Sequence, residues 1–174
     1  MAAECATDPV ENPLWWFAQE FYQREGVEAA VLELQNHWGI DVLLLLAVSW
    51  LSSEGFEWPG DDPDFEQGLT DYEGWRDHVI VPLRQIRCQL PKQELGDFRV
   101  RVKSLELESE QLGLAGLFSL LSVVEAEQWE ADEGLAEDNL IAMLEKDMAE
   151  PQLETVMGTN AIQVLLGHIG ECQR

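Results

Sequence analysis

Apolar residues in the first third of the chain recur at three- and four-residue steps. Leu14, Ala18 and Phe21 form one such face; Val27, Ala30, Val31, Leu34 and Trp38 form a second, with Glu28, Glu33 and Gln35 off it. The punctuation between them is helical. Asn12 is a good N-cap with Pro13 at the first helical position, and this first helix is expected to run to Glu25-Gly26. Gly39 stands where a left-handed C-cap belongs, and Asp41 is the next cap. The run Val42 to Val48, continued by Trp50-Leu51, is apolar on every side, which predicts a helix at the centre of a bundle.

Ser52 to Gly68 combines Pro59, Pro63, Gly55, Gly60 and Gly68 with acidic residues and is expected to be a long loop. Its aromatics Phe56, Trp58 and Phe65 either pin the loop to the core or anchor a partner. From Leu69 the residues Tyr72, Trp75, Val79, Leu83, Ile86 and Leu90 keep helical spacing straight through Pro82, which predicts a kinked helix or two stacked segments. The hexapeptide Phe98 to Lys103 alternates like a strand. It is read as helix because Leu95, Phe98, Val102, Leu105 and Leu112 share a helical face and no second strand is available to pair with it. A buried apolar segment is expected over Leu112 to Val124, an acidic stretch around Trp129 over Glu125 to Asp138, and two shorter helices over Asn139 to Ala149 and Thr159 to Gly170.

The fold class expected is therefore all-α: a single-domain compact helical bundle of about six to eight helices. Residues 1–11 are expected to form a flexible acidic N-terminus and 12–174 a single helical domain, with further helices over 113–174. At 174 residues such a chain closes a sizeable core unaided.

Net charge changes the picture. At −24, the chain is a poor match for an extended nucleic-acid backbone, and its acidic surface favours basic protein partners. Seven of its ten Lys and Arg lie between Arg76 and Lys103, against Asp77, Glu94 and Asp97, so this window is +4 in a chain that is −28 elsewhere. Within it, Arg99, Arg101 and Lys103 precede Glu106, Glu108 and Glu110, an order that opposes the helix macrodipole. Cys5, Cys88 and Cys172 are odd in number and widely spaced, which points to reduced thiols in the cytoplasm. The acidic start of the chain has no secretion-signal pattern, and no apolar run approaches the 18 or so residues of a membrane span.

Catalytic and metal chemistry find little support. Glu33, His37 and Asp41 stand four apart, with His78 available as a fourth ligand. A di-iron bundle, however, needs Glu-x-x-His on two helices, and this spacing occurs once and one residue too long. Cys88 lies beside Arg84 and Arg87, which favour a thiolate, but no base is paired with it. No catalytic residue, metal or cofactor is expected.

The series Asn12-Pro13-Leu14-Trp15 with Phe17, Tyr22, Gly26-Val27, Leu34-Gln35, Gly39, Asp41-Val42, Leu44-Leu45 and Trp50-Leu51 is followed by Trp75-Arg76, Val79, Pro82-Leu83-Arg84, Arg87 and Lys103…Glu106-Leu107-Glu108…Glu110. It resembles a family of small uncharacterised proteobacterial proteins, a conserved domain of unknown function, over about Asn12 to Leu112. The resemblance implies a soluble cytoplasmic helical domain and brings no activity or site residues.

Two functions are compatible with these patterns. The first is a non-catalytic adaptor or regulator that binds a basic protein through acidic surfaces and the loop residues Phe56, Trp58, Asp61, Asp62, Asp64 and Phe65. The second is a binder of a small anionic ligand, nucleotide or RNA at Arg76, Arg84, Arg87, Arg99, Arg101 and Lys103. The acidic surface and the absence of catalytic pattern favour the first.

Overall fold

A computed structural model describes residues 10–60, 62–93, 95–123 and 133–171. Most of the expected acidic N-terminus, Cys5, Cys172, Asp61, Glu94 and the stretch around Trp129 lie outside the described residues. The described residues are all-α. Helix α1 (Pro13–Tyr22) starts where the Asn12 side chain accepts from the Trp15 amide at 2.9 Å. It stops three residues short of the expected end at Glu25, because the chain must turn through Gly26, at φ +81°, to begin α2 (Val27–Trp38). Gly39, at φ +71°, ends α2 in the left-handed cap expected of it.

The Asp41 carboxylate then accepts from the Leu43 amide at 2.8 Å and starts α3 (Val42–Ser53). Helix α3 is buried on nearly every side, with even Ser49 and Ser52 inside, and each hydroxyl donates to the carbonyl four residues back at 2.7 Å. It packs against α1, α6, α7 and α9.

The long loop is shorter than expected. Asp62 accepts from the Asp64 and Phe65 amides at 2.9 and 2.8 Å, with Pro63 in the first turn, so α4 (Pro63–Trp75) begins where a loop was expected to continue. The rod that follows is unbroken. A π-helical turn (Arg76–Ile80), in which the Val81 amide donates to the Arg76 carbonyl five residues back, joins α4 to α5 (Val81–Gln89). The wider turn lies immediately before Pro82, whose ring clashes with the carbonyl four residues back in a regular α-helix, so the expected discontinuity is absorbed as a bulge. Leu90 is extended, as the residue before Pro91 should be.

The strand-like hexapeptide is helical. It lies within α6 (Gly96–Val123), a 28-residue helix that also takes in the apolar segment read as separate. Helices α7 (Glu133–Glu145), α8 (Glu150–Met157) and α9 (Asn160–Glu171) follow; α8 was not anticipated. Helix α9 covers α2 and α3, and α7 covers α3. Among the described residues no helix is long and apolar enough to cross a membrane.

Candidate binding groove

Helices α1, α2 and α3 on one side and α5 and α6 on the other enclose an open groove of about 610 Å³, within the usual range of ligand sites. Its floor is apolar: Ala18 from α1, Val42, Leu43 and Leu46 from α3, and Leu114 from α6. Trp15 and Tyr22 of α1, Leu32 of α2 and Leu107 of α6 form the walls, and Leu32 and Leu107 are 41% and 52% exposed. Glu28, Gln35 and Asn36 supply polar groups on the α2 side.

Opposite them lies an ion network. Arg84 donates from Nε to Glu106 Oε1 at 3.2 Å and from Nη2 to Glu110 Oε1 at 2.7 Å. Arg87 donates from Nε to Glu106 Oε2 and from Nη2 to Glu106 Oε1, the latter at 2.9 Å. Burial alone would raise the Glu106 pKa, but the hydrogen bonds from Arg87 and Arg84 outweigh it and hold the carboxyl below the ordinary glutamate value. Burial dominates at Glu110 and pushes its carboxyl up, in spite of Arg84. The two therefore act oppositely on stability. The Glu106 contribution is complete above the reference value of 4.5 and is lost as pH falls through its lowered native pKa. The contribution of Glu110 is complete below 4.5 and is lost as pH rises through its raised one.

The basic island does not form one site. Arg84, Arg87 and Lys103 line the groove, but both arginines are committed to carboxylates. Arg76 lines a neighbouring hollow of about 470 Å³, where its Nη1 meets Asp41 Oδ2 at 3.3 Å and its Nε meets Asp77 at 2.8 Å. Tyr72 completes that cluster by donating its hydroxyl to Asp41 Oδ2 at 3.0 Å, and burial together with the Asp41 charge pushes its pKa up. Arg99 and Arg101 do not line the groove.

The loop aromatics are also placed otherwise than a partner site requires. Trp58 and Phe65 belong to the core, edge to face with centroids 4.9 Å apart, and Phe56 packs against it. Phe56 and Trp58 pin the loop, and burial leaves neither Trp58 nor Phe65 free as a partner anchor. Asp62 is occupied as the α4 cap, and Asp64 sits exposed in the first turn, where its charge suits the dipole. Asp41, the last of the Glu33, His37 and Asp41 series, is turned into the Tyr72 and Arg76 cluster, and His78 faces the Gly74 carbonyl at 2.8 Å. Among the described residues no three His, Cys, Asp or Glu are placed to hold a metal. Cys88 is exposed at the groove edge.

The pairing has a measurable consequence. Arg84→Ala and Arg87→Ala each leave a buried carboxylate short of a partner and should cost about 1–2 kcal/mol, lowering the Tm by a few degrees. An unchanged Tm in both variants, read by thermal denaturation, would contradict a structural role.

A protein family described as a protein of unknown function, DUF2390, matches residues 13–117. The chain belongs to this family. No curated protein and no solved structure matches it. Every residue lining the groove, from Trp15 to Leu114, falls inside the DUF2390 segment, whereas α7 and α9, which help to enclose α3, fall outside it together with α8. Sequence reading missed the groove walls. Leu32 and Leu107 look like stray apolar residues off their helical faces, and only the groove that α2 and α6 both line gives them a common purpose.

Proposed function

We propose that the protein is a non-catalytic adaptor or regulator that holds an amphipathic segment of a basic partner protein in the groove between α1, α2, α3, α5 and α6. The observation that carries this reading is the groove itself. It is open, apolar at its floor, exposes Leu32 and Leu107 at its walls, and has its two arginines already neutralised by Glu106 and Glu110. A phosphorylated ligand would have to displace those carboxylates, whereas an apolar helix face with basic flanks meets Leu32, Leu107 and Glu28 directly. The surrounding charge of −24 then speeds encounter with the basic segment. We place this activity in the bacterial cytoplasm, where an exposed thiol such as Cys88 stays reduced.

Copurification from native lysate, followed by binding kinetics on the captured protein, tests the proposal. Leu32→Glu and Leu107→Glu, both at exposed positions, should retain the fold and raise the off-rate about tenfold or more. Added salt should slow association as the Debye length shrinks from about 30 Å at 0.01 M to about 8 Å at 0.15 M. A partner indifferent to both variants and to salt would refute the groove as its site. Selective capture of a nucleotide or other phosphorylated ligand, abolished by Arg84→Ala, would favour the anionic-ligand alternative.

A further inference from the structure

Phe98, Leu105 and Leu112 lie at seven-residue intervals on α6, so they form a nearly straight line along the helix. They are 45%, 53% and 46% exposed. Val102 and Ser109, on the inner flank of the line, are buried, and the Trp75 indole closes that flank by donating to the Ser109 carbonyl at 3.0 Å. The outer flank carries Arg101 and Glu108, both exposed, seven apart and opposite in charge. Among the described residues neither has an ion-pair partner, and the Arg101 guanidinium leans over the Phe98 ring at 5.5 Å.

The charge order along α6 works against the helix dipole, and only part of it is explained within the chain: Glu106 and Glu110 hold Arg84 and Arg87. Arg101 and Glu108 have no such purpose. We propose that they and the apolar line form a self-complementary surface on which a second copy of this chain docks antiparallel, about a two-fold axis at Leu105.

Turned end for end about Leu105, the line superposes on itself. Phe98 meets Leu112 of the second copy, Leu105 meets Leu105, and Arg101 falls within one residue of Glu108. A parallel copy would turn the outer flank of each helix to the inner flank of the other, setting Arg101 and Glu108 opposite the Val102 and Ser109 side with no charge to meet, so charge pairing favours the antiparallel arrangement. The antiparallel arrangement is isologous and closes at two chains. It leaves the groove free, because Leu107 projects about 200° around α6 from Leu105.

Sedimentation of the full chain tests this. The parent should be dimeric at about 100 µM and dissociate on dilution toward about 1 µM. Leu105→Glu should be monomeric throughout, with helical circular dichroism and a cooperative melt retained. Val100→Glu, on the opposite flank, should dimerise like the parent. Arg101→Glu and Glu108→Arg should each raise the dimer Kd about tenfold, and the double exchange should bring it back to within about threefold of the parent. A parent that stays monomeric over this range, including one whose stripe captures some other protein, overturns the proposal. So does a dimer indifferent to Leu105→Glu, or a double exchange that fails to restore association.

Discussion

Leu45→Asp is expected to leave the chain without a cooperative folded state at 25 °C. Leu45 is 1% exposed in the middle of α3, a helix enclosed by α1, α6, α7 and α9, so no rotamer carries a carboxylate from this position to water. The substitution removes a well-packed side chain, at about 2–5 kcal/mol, and adds the several kcal/mol of an unpaired buried charge. Together these are comparable with the whole stability of an ordinary domain, about 5–15 kcal/mol. Urea titration followed by circular dichroism should show no sigmoidal transition for the variant and a clear one for the volume-conserving Leu45→Met. A cooperative melt of Leu45→Asp near the parent Tm would mean that α3 is not the centre of the core.

Asn139→Ala should cost about 2–4 kcal/mol, a large loss for a residue that carries no charge. The Asn139 side chain accepts from the Trp58 amide at 2.7 Å and donates to Ser52 Oγ and the Phe56 carbonyl, both at 2.9 Å. It is 3% exposed, so water does not readily replace it. Truncation strands the Trp58 amide and the Phe56 carbonyl and frees the loop that carries Trp58 against Phe65 of α4. Asn139→Asp retains the acceptor for Trp58 but sets an oxygen against the Phe56 carbonyl, and it should be no better tolerated. Hydrogen exchange should accelerate at the Trp58 amide in Asn139→Ala more than at amides within α2. Uniform acceleration would mean that Asn139 stabilises the whole fold without pinning the loop in particular.

What could be read from the sequence was local. Asn12-Pro13, Gly39 and Asp41 announce helix ends because their side chains or φ values act on amides within three residues. Asp62-Pro63 is the same signal as Asn12-Pro13, but it was masked by the surrounding prolines, glycines and acids, which read together as loop. Pro82 marked a discontinuity, yet whether it appears as a kink, a break or a π turn depends on what the rod packs against.

The candidate sites were legible only as composition. The basic window is visible in the charge count, whereas the carboxylates that consume it lie 19 residues away for Arg87 and 26 for Arg84 with Glu110. The aromatic loop could be read as a pin to the core or as a set of partner anchors, because the residue that draws Trp58 inward, Asn139, is 81 positions further along. Sequence proximity carries no information about such pairings, and the groove exists only because five helices meet.

The enclosure of α3 also sets a timetable for synthesis. Its apolar residues are translated early, but α7 and α9, which cover part of it, are added much later. At about 5–20 residues per second, roughly 5–20 s separate the emergence of α3 from that of α9, whereas a helix forms in about a microsecond. Throughout that interval the nascent chain displays an apolar rod that its own later residues have yet to shield. For a protein so acidic, repulsion between neighbouring nascent chains is a ready means of keeping those rods apart on a crowded polysome.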